Sequence, residues 1–266
     1  MKNLLITLLV LASFASRTNA TITVVNGMSH EYAVSNGLQV NGEVIIKNLG
    51  KKPARVLFYK TDLKHNCNGE TQFVDINSIA RSASSWIEIS NNEIVLQGEQ
   101  EITATYRLLV PDSGKFEGSY WGCIMVEEAE APDTADRQKG IRVRSLIRYA
   151  VQVVANFAGG QDKNLELENA KIDSTDNGIV LNVNVENKGN LLMKPVVVLE
   201  LYDDLGTMVK RVEVPTQKVY PGMCKRFELS LEGVPIGKYS GVLVADCGEN
   251  DLFGLNLTVD LTGKRG

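Results

Sequence analysis

The 266-residue chain carries 28 Lys and Arg against 32 Asp and Glu, which gives a formal net charge of −4. This balance and the lack of a basic run make nucleic acid a poor candidate partner, because tracking phosphates requires clustered cations. The four cysteines include no Cys-x-x-Cys motif, so the pattern is not that of a zinc knuckle or a redox site, and we expect no metal and no cofactor.

The first twenty residues have the features of an export signal. Lys2 supplies a basic start, the apolar run Leu4–Ala15 follows, and Thr18–Ala20 offers small residues for cleavage. The run is too short to span a bilayer, no cysteine follows it for lipid attachment, and no later stretch has the length of a membrane helix. The sequence predicts a signal peptide over residues 1–20. We expect the exported chain to be soluble in the periplasm or at the cell surface, with no membrane span.

Strand signals dominate the remaining residues. Short stretches rich in Val, Ile, Leu and Tyr alternate with Gly, Asn, Asp and Pro, and no long window has a helical period. The predicted strands are Gly42–Lys47, Arg55–Lys60, Glu101–Val110, Ser119–Val126, Ile141–Ala155, Ile179–Val185, Val196–Tyr202, Lys225–Leu231 and Tyr239–Ala245.

Three landmarks recur in the same order in the two halves of the chain. A strand runs into an Asn-x-Gly turn at Val44–Gly50 and again at Val183–Gly189, and Gly suits such a reversal because it adopts positive φ. An apolar strand ending in Tyr59 or Tyr202 follows. A Gly-x-Tyr-x-Gly motif then opens a later strand, at 118–122 and at 237–241. This repeat indicates a duplicated β-domain.

About seven short strands per repeat are typical of an immunoglobulin-like sandwich. The sequence therefore predicts an all-β chain with two tandem immunoglobulin-like β-sandwich domains, at residues 21–156 and 164–262. The Gly-rich polar segment at 157–163 is the predicted linker.

An even number of cysteines in an exported chain favours disulfides. A hairpin of Lys225–Leu231 and Tyr239–Ala245 about Pro235 would place Cys224 opposite Cys247, so these two are predicted to bond. Cys67 follows one strand and Cys123 lies in another that is its neighbour in an immunoglobulin-like sheet, which makes Cys67–Cys123 the second predicted pair.

Residues for catalysis are scarce, and we expect a non-enzymatic protein with no catalytic residues. His30 lies in a polar segment, and His65 beside Cys67 is interpreted either as a nucleophilic pair or as a loop histidine next to a disulfide. The acidic stretch Glu127–Asp136 lacks the regular Asp alternation of a calcium loop and is better interpreted as a solvated loop. Trp86, Tyr120 and Trp121 fit either the core or a surface that stacks on sugars.

The segment Ile141–Val154 has the most functional promise. Side chains alternate across a strand, so Ile141, Val143, Ile147, Tyr149, Val151 and Val153 share one face, and Arg142, Arg144, Arg148 and Gln152 share the other. As the last strand of its domain, it has an edge that can recruit a partner strand, or it is an ordinary core strand with a solvated basic face. The predicted partner-binding residues are Ile141, Arg142, Val143, Arg144, Ile147, Arg148 and Tyr149.

Two families are similar to these patterns. The terminal strand Ile141–Val154, the run Trp86–Ile89 with Tyr106–Pro111, and Asn187–Asn190 with Val219–Gly222 resemble periplasmic pilus-assembly chaperones. This resemblance implies a protein that lends a strand to unfolded subunits. In that family an Arg of the first strand and a Lys or Arg of the last hold the subunit's C-terminal carboxylate. Arg144 or Arg148 matches the second position, whereas Thr21–Val34 has no Arg or Lys.

The second family is that of the WxL-interacting surface proteins, whose first domain is linked to peptidoglycan binding. The similar landmarks are Tyr32–Val34, Asn68–Gly69, Phe116–Gly118, Gly122–Ile124 and Arg148–Val151. We therefore expect a binding protein of the cell envelope, chaperone-like or scaffold-like, that pairs by a strand edge with another envelope or surface-assembly protein. The alternative is a cell-surface module that binds peptidoglycan or another glycan.

Overall fold

A computed structural model describes residues 22–129, 147–176, 178–249 and 251–263. These residues form seventeen β-strands and one short 3-10 helix at Ser84–Trp86. The strands of the first half are β1 (Ile22–Val24), β2 (Ser29–Val34), β3 (Gln39–Asn48), β4 (Ala54–His65), β5 (Thr71–Val74), β6 (Ile87–Ile89), β7 (Glu93–Leu96), β8 (Glu101–Leu109), β9 (Gly118–Glu128) and β10 (Arg148–Phe157). Those of the second half are β11 (Leu165–Thr175), β12 (Gly178–Asn187), β13 (Val196–Tyr202), β14 (Met208–Val214), β15 (Cys224–Ser230), β16 (Lys238–Asp246) and β17 (Leu252–Asp260).

Each half folds as two packed sheets, so the predicted pair of immunoglobulin-like sandwiches is confirmed. In the first sandwich, strands in the order β1-β3-β8-β6 face strands in the order β2-β10-β9-β4-β5, with β7 also on β4. In the second, β11-β12-β15 faces β14-β13-β16-β17. The alternating apolar residues of both sheets meet in one core per sandwich, where a fully buried Leu or Ile contributes about 1.5–3 kcal/mol. The exact domain boundaries stay a prediction.

The Asn-x-Gly landmark has the same role in both sandwiches. Asn48 and Asn187 are fully buried at the ends of β3 and β12. Each side-chain oxygen accepts the N–H of the glycine two residues on, at 2.8 Å and 3.0 Å. Each side-chain amide donates to the carbonyl four residues on, at 2.8 Å in both cases, and to a second loop carbonyl, that of Gln97 or Val219. An asparagine side chain therefore closes an equivalent turn in each sandwich, as the sequence repeat implies.

The first strand of the first sandwich switches sheets. β1 pairs antiparallel with the end of β3, the chain then crosses over, and β2 pairs parallel with β10 in the opposite sheet. Asn26 stabilises the crossover, because its amide donates to the carbonyl of Glu43 and its oxygen accepts the N–H of Ile45. In the second sandwich the first strand, β11, stays in one sheet and pairs with β12.

The two sandwiches share an apolar junction. The rings of Trp121 and Tyr220 pack at a tilt of 37° with their centroids 4.5 Å apart, and the Trp121 indole donates to the carbonyl of Leu63. The junction cluster consists of Leu63, Trp121, Cys123, Met125 and Val154 from the first sandwich with Leu192, Tyr220 and Met223 from the second.

On the linker side, polar groups tie the same two units together. The Ser119 N–H donates to the carbonyl of Asn190, and the Ser119 hydroxyl accepts the N–H of Leu192, both at 2.7 Å. Asn190 also accepts the N–H of Asp162 and donates to the carbonyl of Gly160. The connection between β10 and β11 is therefore fastened to the second sandwich.

Both predicted disulfide pairings are wrong. The structure joins Cys67 to Cys224, one cysteine from each sandwich, and leaves Cys123 and Cys247 as free thiols. Burial raises the pKa of Cys123 to about 12 and that of Cys247 to about 11, so both thiols stay protonated at neutral pH.

The pairings fail for two geometric reasons. β15 and β16 do not form a hairpin, because β15 pairs with β12 and β16 with β13 and β17 in the facing sheet. Cys224 and Cys247 therefore do not lie opposite each other. β4 and β9 are neighbours, as expected, but their register places Cys123 opposite Thr61, and Cys67 lies six residues further on, beyond the end of β4.

Candidate functional site

The candidate site is the outer edge of β10, the last strand of the first sandwich. Its inner face is the one that the alternation predicts: Val151 and Val153 are fully buried in the first core, and Tyr149 packs against it. On the other face, Ala150 and Val154 contact the junction cluster. β10 is thus fixed from both sides along most of its length.

β2 covers only part of this edge. The parallel register runs from Gln152 with Ser29 to Phe157 with Val34, and the N–H of Gln152 donates to the carbonyl of Met28. Main-chain groups alternate sides along a strand, so Arg148 and Ala150 point their N–H and C=O the same way as Gln152. No described strand pairs with residues 148–151 on that side. We call this segment the open β10 edge.

The structure separates the seven predicted partner-binding residues into four groups, of which Arg148 is described separately below. Ile141, Arg142, Val143 and Arg144 lie outside the described residues. Ile147 is 41% exposed and precedes the open β10 edge directly. Tyr149 turns inward, where its hydroxyl donates to the carbonyl of Ile22, so this side chain supports the core.

Arg148 lies on the outer face of the sheet and is ion-paired. Its Nε lies 2.8 Å from a carboxylate oxygen of Glu127, directly opposite on β9. The same carboxylate accepts the hydroxyl of Tyr59 at 2.6 Å, and burial together with this carboxylate raises the pKa of Tyr59. The side chain of Arg148 remains 55% exposed, so a ligand can reach it in competition with Glu127.

A polar cluster lies where β2 begins to cover β10. Lys218, from the second sandwich, contacts Ser29, the side-chain oxygen of Gln152 at 3.1 Å and Glu31 at 3.3 Å. Tyr220 donates to the same Gln152 oxygen at 2.5 Å, and Lys194 binds Glu31 at 2.7 Å. These contacts therefore hold the second sandwich against the first at the boundary of the open β10 edge.

Burial and charge shift the pKa values in this cluster. Burial lowers the pKa of Lys218, although Glu31 opposes the shift. Burial alone would raise the pKa of Glu31, but the hydrogen bond to Lys194 and the charges of both lysines outweigh it, so the pKa is lowered. The alternation in the sequence assigned Gln152 to a polar face. It did not predict that Lys218 and Tyr220, which lie 66 and 68 residues away in the chain, contact Gln152.

An open pocket of about 740 Å³ lies beside β2 and β3. The hydroxyl of Tyr106 lies 2.8 Å from His30 Nδ1 and 2.9 Å from the Tyr32 hydroxyl. Gly42 makes room for this arrangement, because a side chain there would overlap the Tyr106 ring. Burial lowers the pKa of His30. These groups hydrogen-bond one another, which stabilises the end of the sandwich.

The structure settles two interpretations that the sequence left open. Cys67 is in a disulfide, so it forms no nucleophilic pair with His65, which stacks on Tyr220. Trp121 is fully buried. Trp86 and Tyr120 are partly buried and pack with Phe116 and Phe157. Trp86, Tyr120 and Trp121 therefore pack inside the protein rather than forming a surface that stacks on sugars.

The described residues hold no group of three or more His, Cys, Asp or Glu arranged to bind a metal ion. Of the acidic stretch, residues 130–136 lie outside the described part of the chain. Within the described ranges, no helix has the length and apolar character needed to cross a membrane.

No protein-family model matches the chain, and no curated protein matches it. Solved structures do match. The class 5 fimbriae chaperone CfaA is 13% identical, covers 89% of this chain and 98% of its own, and has a TM-score of 0.47. The chaperone YadV is 13% identical over 90% of this chain and 100% of its own, with a TM-score of 0.46.

A chain of the Salmonella enterica complex between SafA pilin and the SafB chaperone is 11% identical. It covers 91% of this chain and 99% of its own, with a TM-score of 0.45. The chain is similar to these chains of fimbrial and pilus chaperones.

Proposed function

We propose that this chain is an exported, non-enzymatic binding protein of the cell envelope that handles a surface-assembly partner by strand pairing, as a chaperone or scaffold. The observation that carries the proposal is the open β10 edge. There the last strand of the first sandwich presents main-chain groups with no described strand beside them.

The open β10 edge suits an extended partner segment. The outward N–H and C=O groups of Arg148 and Ala150 supply main-chain hydrogen bonds, and such bonds give affinity in strand addition. Ile147 offers exposed apolar surface next to them. The predicted continuation through Ile141, Arg142, Val143 and Arg144 would lengthen the same edge.

The surroundings keep this edge rigid. Val151 and Val153 anchor β10 in the first core, and the cluster around Lys218 fixes the point where β2 takes over. A preordered edge loses little conformational freedom on binding, which favours affinity. Arg148 adds a charge-assisted contact for a partner carboxylate that displaces Glu127.

The test is capture of partners from the native envelope with wild-type protein and with Ala150→Pro. Proline removes the outward N–H of residue 150, so we expect a loss of at least about tenfold in partner affinity. Because Ala150 also contacts the junction cluster, thermal unfolding must show that the variant folds. Arg148→Ala, at an exposed position, is the second variant, and we expect weaker binding with unchanged stability.

Asn256→Pro, on the edge strand β17 of the second sandwich, is the matched control and should retain every partner that pairs with the open β10 edge. If both Ala150→Pro and Arg148→Ala bind all partners with unchanged affinity, the proposal is wrong. The same variants are also tested for binding to purified peptidoglycan, which is the ligand of the alternative function. Peptidoglycan binding that survives both substitutions would favour a module that binds the cell wall.

A further inference from the structure

A pocket of about 540 Å³ opens where the two sandwiches meet, on the side of β9 that faces β4. Lys64 and His65, at the end of β4, line it from the first sandwich, and Lys188 and Met223 line it from the second. The polar cluster around Lys218 lies on the other side of β9, at β2 and β10. This interdomain pocket is therefore separate from the open β10 edge, and its volume suits a small ligand.

The charged groups on the walls of the interdomain pocket are all positive. Its described lining includes Lys64, Arg81 and Lys188 but no Asp or Glu. The pocket beside β2 and β3, in contrast, has Glu31 and Glu43 in its walls. In a chain with a formal net charge of −4, a lining of one sign creates a local positive potential that attracts anions.

Two of these three cations have no carboxylate partner among the described residues. Lys64 is exposed and forms no ion pair there. The guanidinium of Arg81 is held by main-chain carbonyls instead, and its Nη1 donates to the carbonyl of Glu117 at 2.7 Å. Lys188 differs, because it pairs with Glu186 at 2.8 Å, but 38% of its side chain stays exposed. The positive charge of the pocket is therefore only partly neutralised by the protein itself.

A fourth cation, Lys225, adds to this potential. Burial lowers the pKa of Lys225, and no described carboxylate opposes the shift. Burial, followed by the charge of Lys225, also lowers the pKa of His65 to about 4, so the imidazole in the pocket wall is neutral at pH 7. Its Nδ1 is bonded to the Thr71 hydroxyl at 2.9 Å. An anion in the pocket would offset the mutual repulsion of these groups.

The rest of the wall is apolar and held in place. Ile79, Pro221 and Met223 line the pocket, and Met223 accepts the main-chain N–H of His65 at 3.3 Å through its sulfur. The next residue, Cys224, is bonded to Cys67 of the first sandwich. The two walls are thus fixed relative to each other, and a preformed pocket loses little conformational freedom on binding.

We propose that the interdomain pocket binds a phosphate group. The three cations of its walls match a phosphate monoester, with its charge of about −1.5 to −2, better than the single charge of a carboxylate. Lysine ammonium groups bind phosphate as point charges, and two of the three cations are lysines. The apolar wall beside them can contact whatever carries the phosphate. The same group occurs in a soluble phosphate and in the headgroup of a phosphatidate lipid, and the experiment separates these two sources.

The test is NMR of the purified, untagged exported protein, in which two histidines give the ring C–H signals. Inorganic phosphate and a short-chain soluble phosphatidate are titrated at pH 7, and His65→Gln assigns the signals. We expect each ligand to shift the His65 signals and to leave those of His30, which lines the other pocket, unchanged. A lower half-saturation concentration for the phosphatidate identifies a lipid headgroup as the ligand, and equal values identify a soluble phosphate.

Two substitutions reduce the charge of the pocket. Lys64→Glu, at an exposed position without a described ion pair, should raise the half-saturation concentration at least about tenfold. Lys188→Gln should have a smaller effect in the same direction, because Glu186 already offsets part of its charge. Lys51→Glu makes the same charge change as Lys64→Glu at an exposed site before the other end of β4, and it should bind as the wild type does. Thermal unfolding checks that each variant folds.

His65 signals that neither ligand shifts would overturn the proposal. So would half-saturation concentrations that both Lys64→Glu and Lys188→Gln leave unchanged. An equal loss of binding in Lys51→Glu would have the same consequence, because the effect would then come from the net charge of the protein rather than from the pocket. None of these substitutions lies at the open β10 edge, so each outcome is independent of the proposed strand pairing.

Discussion

Cys67 and Cys224 lie 157 residues apart in the sequence, yet their Cα atoms are 4.8 Å apart and their sulfurs are bonded. Cys67 follows β4 of the first sandwich, and Cys224 opens β15 of the second. The bond therefore links the two sandwiches covalently, in addition to the contact between Trp121 and Tyr220. Without it, only non-covalent contacts would hold the two sandwiches together when the chain partly unfolds.

Removing this disulfide should destabilise the protein by about 2–4 kcal/mol, because it closes a long loop in the unfolded chain. The variant is Cys67→Ala with Cys224→Ala, measured by denaturant unfolding. Cys247→Ser is the matched control at a free cysteine and should cost about 1 kcal/mol or less. Non-reducing peptide mapping that found Cys67 bonded to Cys123, or unbonded, would contradict the assignment.

The two buried asparagines should be equally important. Asn48→Ala removes one accepted and three donated hydrogen bonds from a buried turn, and Asn187→Ala removes one accepted and two donated, so we expect a loss of about 2–3 kcal/mol for each. The two sites lie in different sandwiches, and their effects should add within about 0.5 kcal/mol. Asn91→Ala, at an exposed position, is the control for urea unfolding. An effect at only one of the two sites would show that the turns are not equivalent.

Gly118 lies where the first sandwich meets the second with no room for a side chain. Its φ is +69°, and an added Cβ would overlap the carbonyl of Asn190 in the second sandwich. Gly118→Ala should therefore cost about 2 kcal/mol or more. Gly159→Ala, in the same connecting region but with open space around it, should be close to neutral. Equal melting temperatures for the two variants would refute this reading of the junction.

Stability should fall as the pH decreases from about 6.5 to 5. Burial, followed by the charge of Lys225, lowers the pKa of His65 to about 4, below the value of about 6.5 in the unfolded chain. In this window the unfolded state binds more protons than the native state, so stability is present above the unfolded pKa and decreases with acidification. Because His65 is partly exposed, we expect a change of about 1 kcal/mol.

Urea unfolding at pH 7 and pH 5 measures this effect, and His65→Gln should reduce it. His30, whose pKa burial also lowers, contributes in the same direction, so His30→Gln serves as a comparison. A pH dependence that His65→Gln leaves unchanged would assign the effect to other groups.

The sequence was sufficient to predict what depends on local pattern. The Asn-x-Gly turns, the strands that follow them and the Gly-x-Tyr-x-Gly openings of β9 and β16 all have equivalent roles in the two sandwiches. The face assignment of Tyr149, Val151 and Val153 is confirmed because side-chain alternation needs no knowledge of neighbouring strands.

What the sequence could not supply is which sheet a strand joins. β15 and β16 follow one another in the chain but lie in facing sheets, and this alone makes the Cys224–Cys247 pairing wrong. β11 was missed because its side chains are mostly exposed and a bulge interrupts its alternation. Gln152, Lys218 and Tyr220 meet only through the docking of two units, for which no local signal exists.

The parallel pairing of β2 with β10 has a consequence for the order of folding. Ser29 and Gln152 are partners across more than a hundred residues, so the first sandwich has a high contact order and cannot close until its last strand has emerged. Throughout that interval Cys67 and Cys123 are the only cysteines available to each other. Once β9 pairs with β4, however, Thr61 is held opposite Cys123, and Cys67 lies six residues further on, in the turn beyond the end of β4. We therefore expect that, if β9 pairs with β4 before Cys224 emerges, this register keeps Cys67 from bonding Cys123.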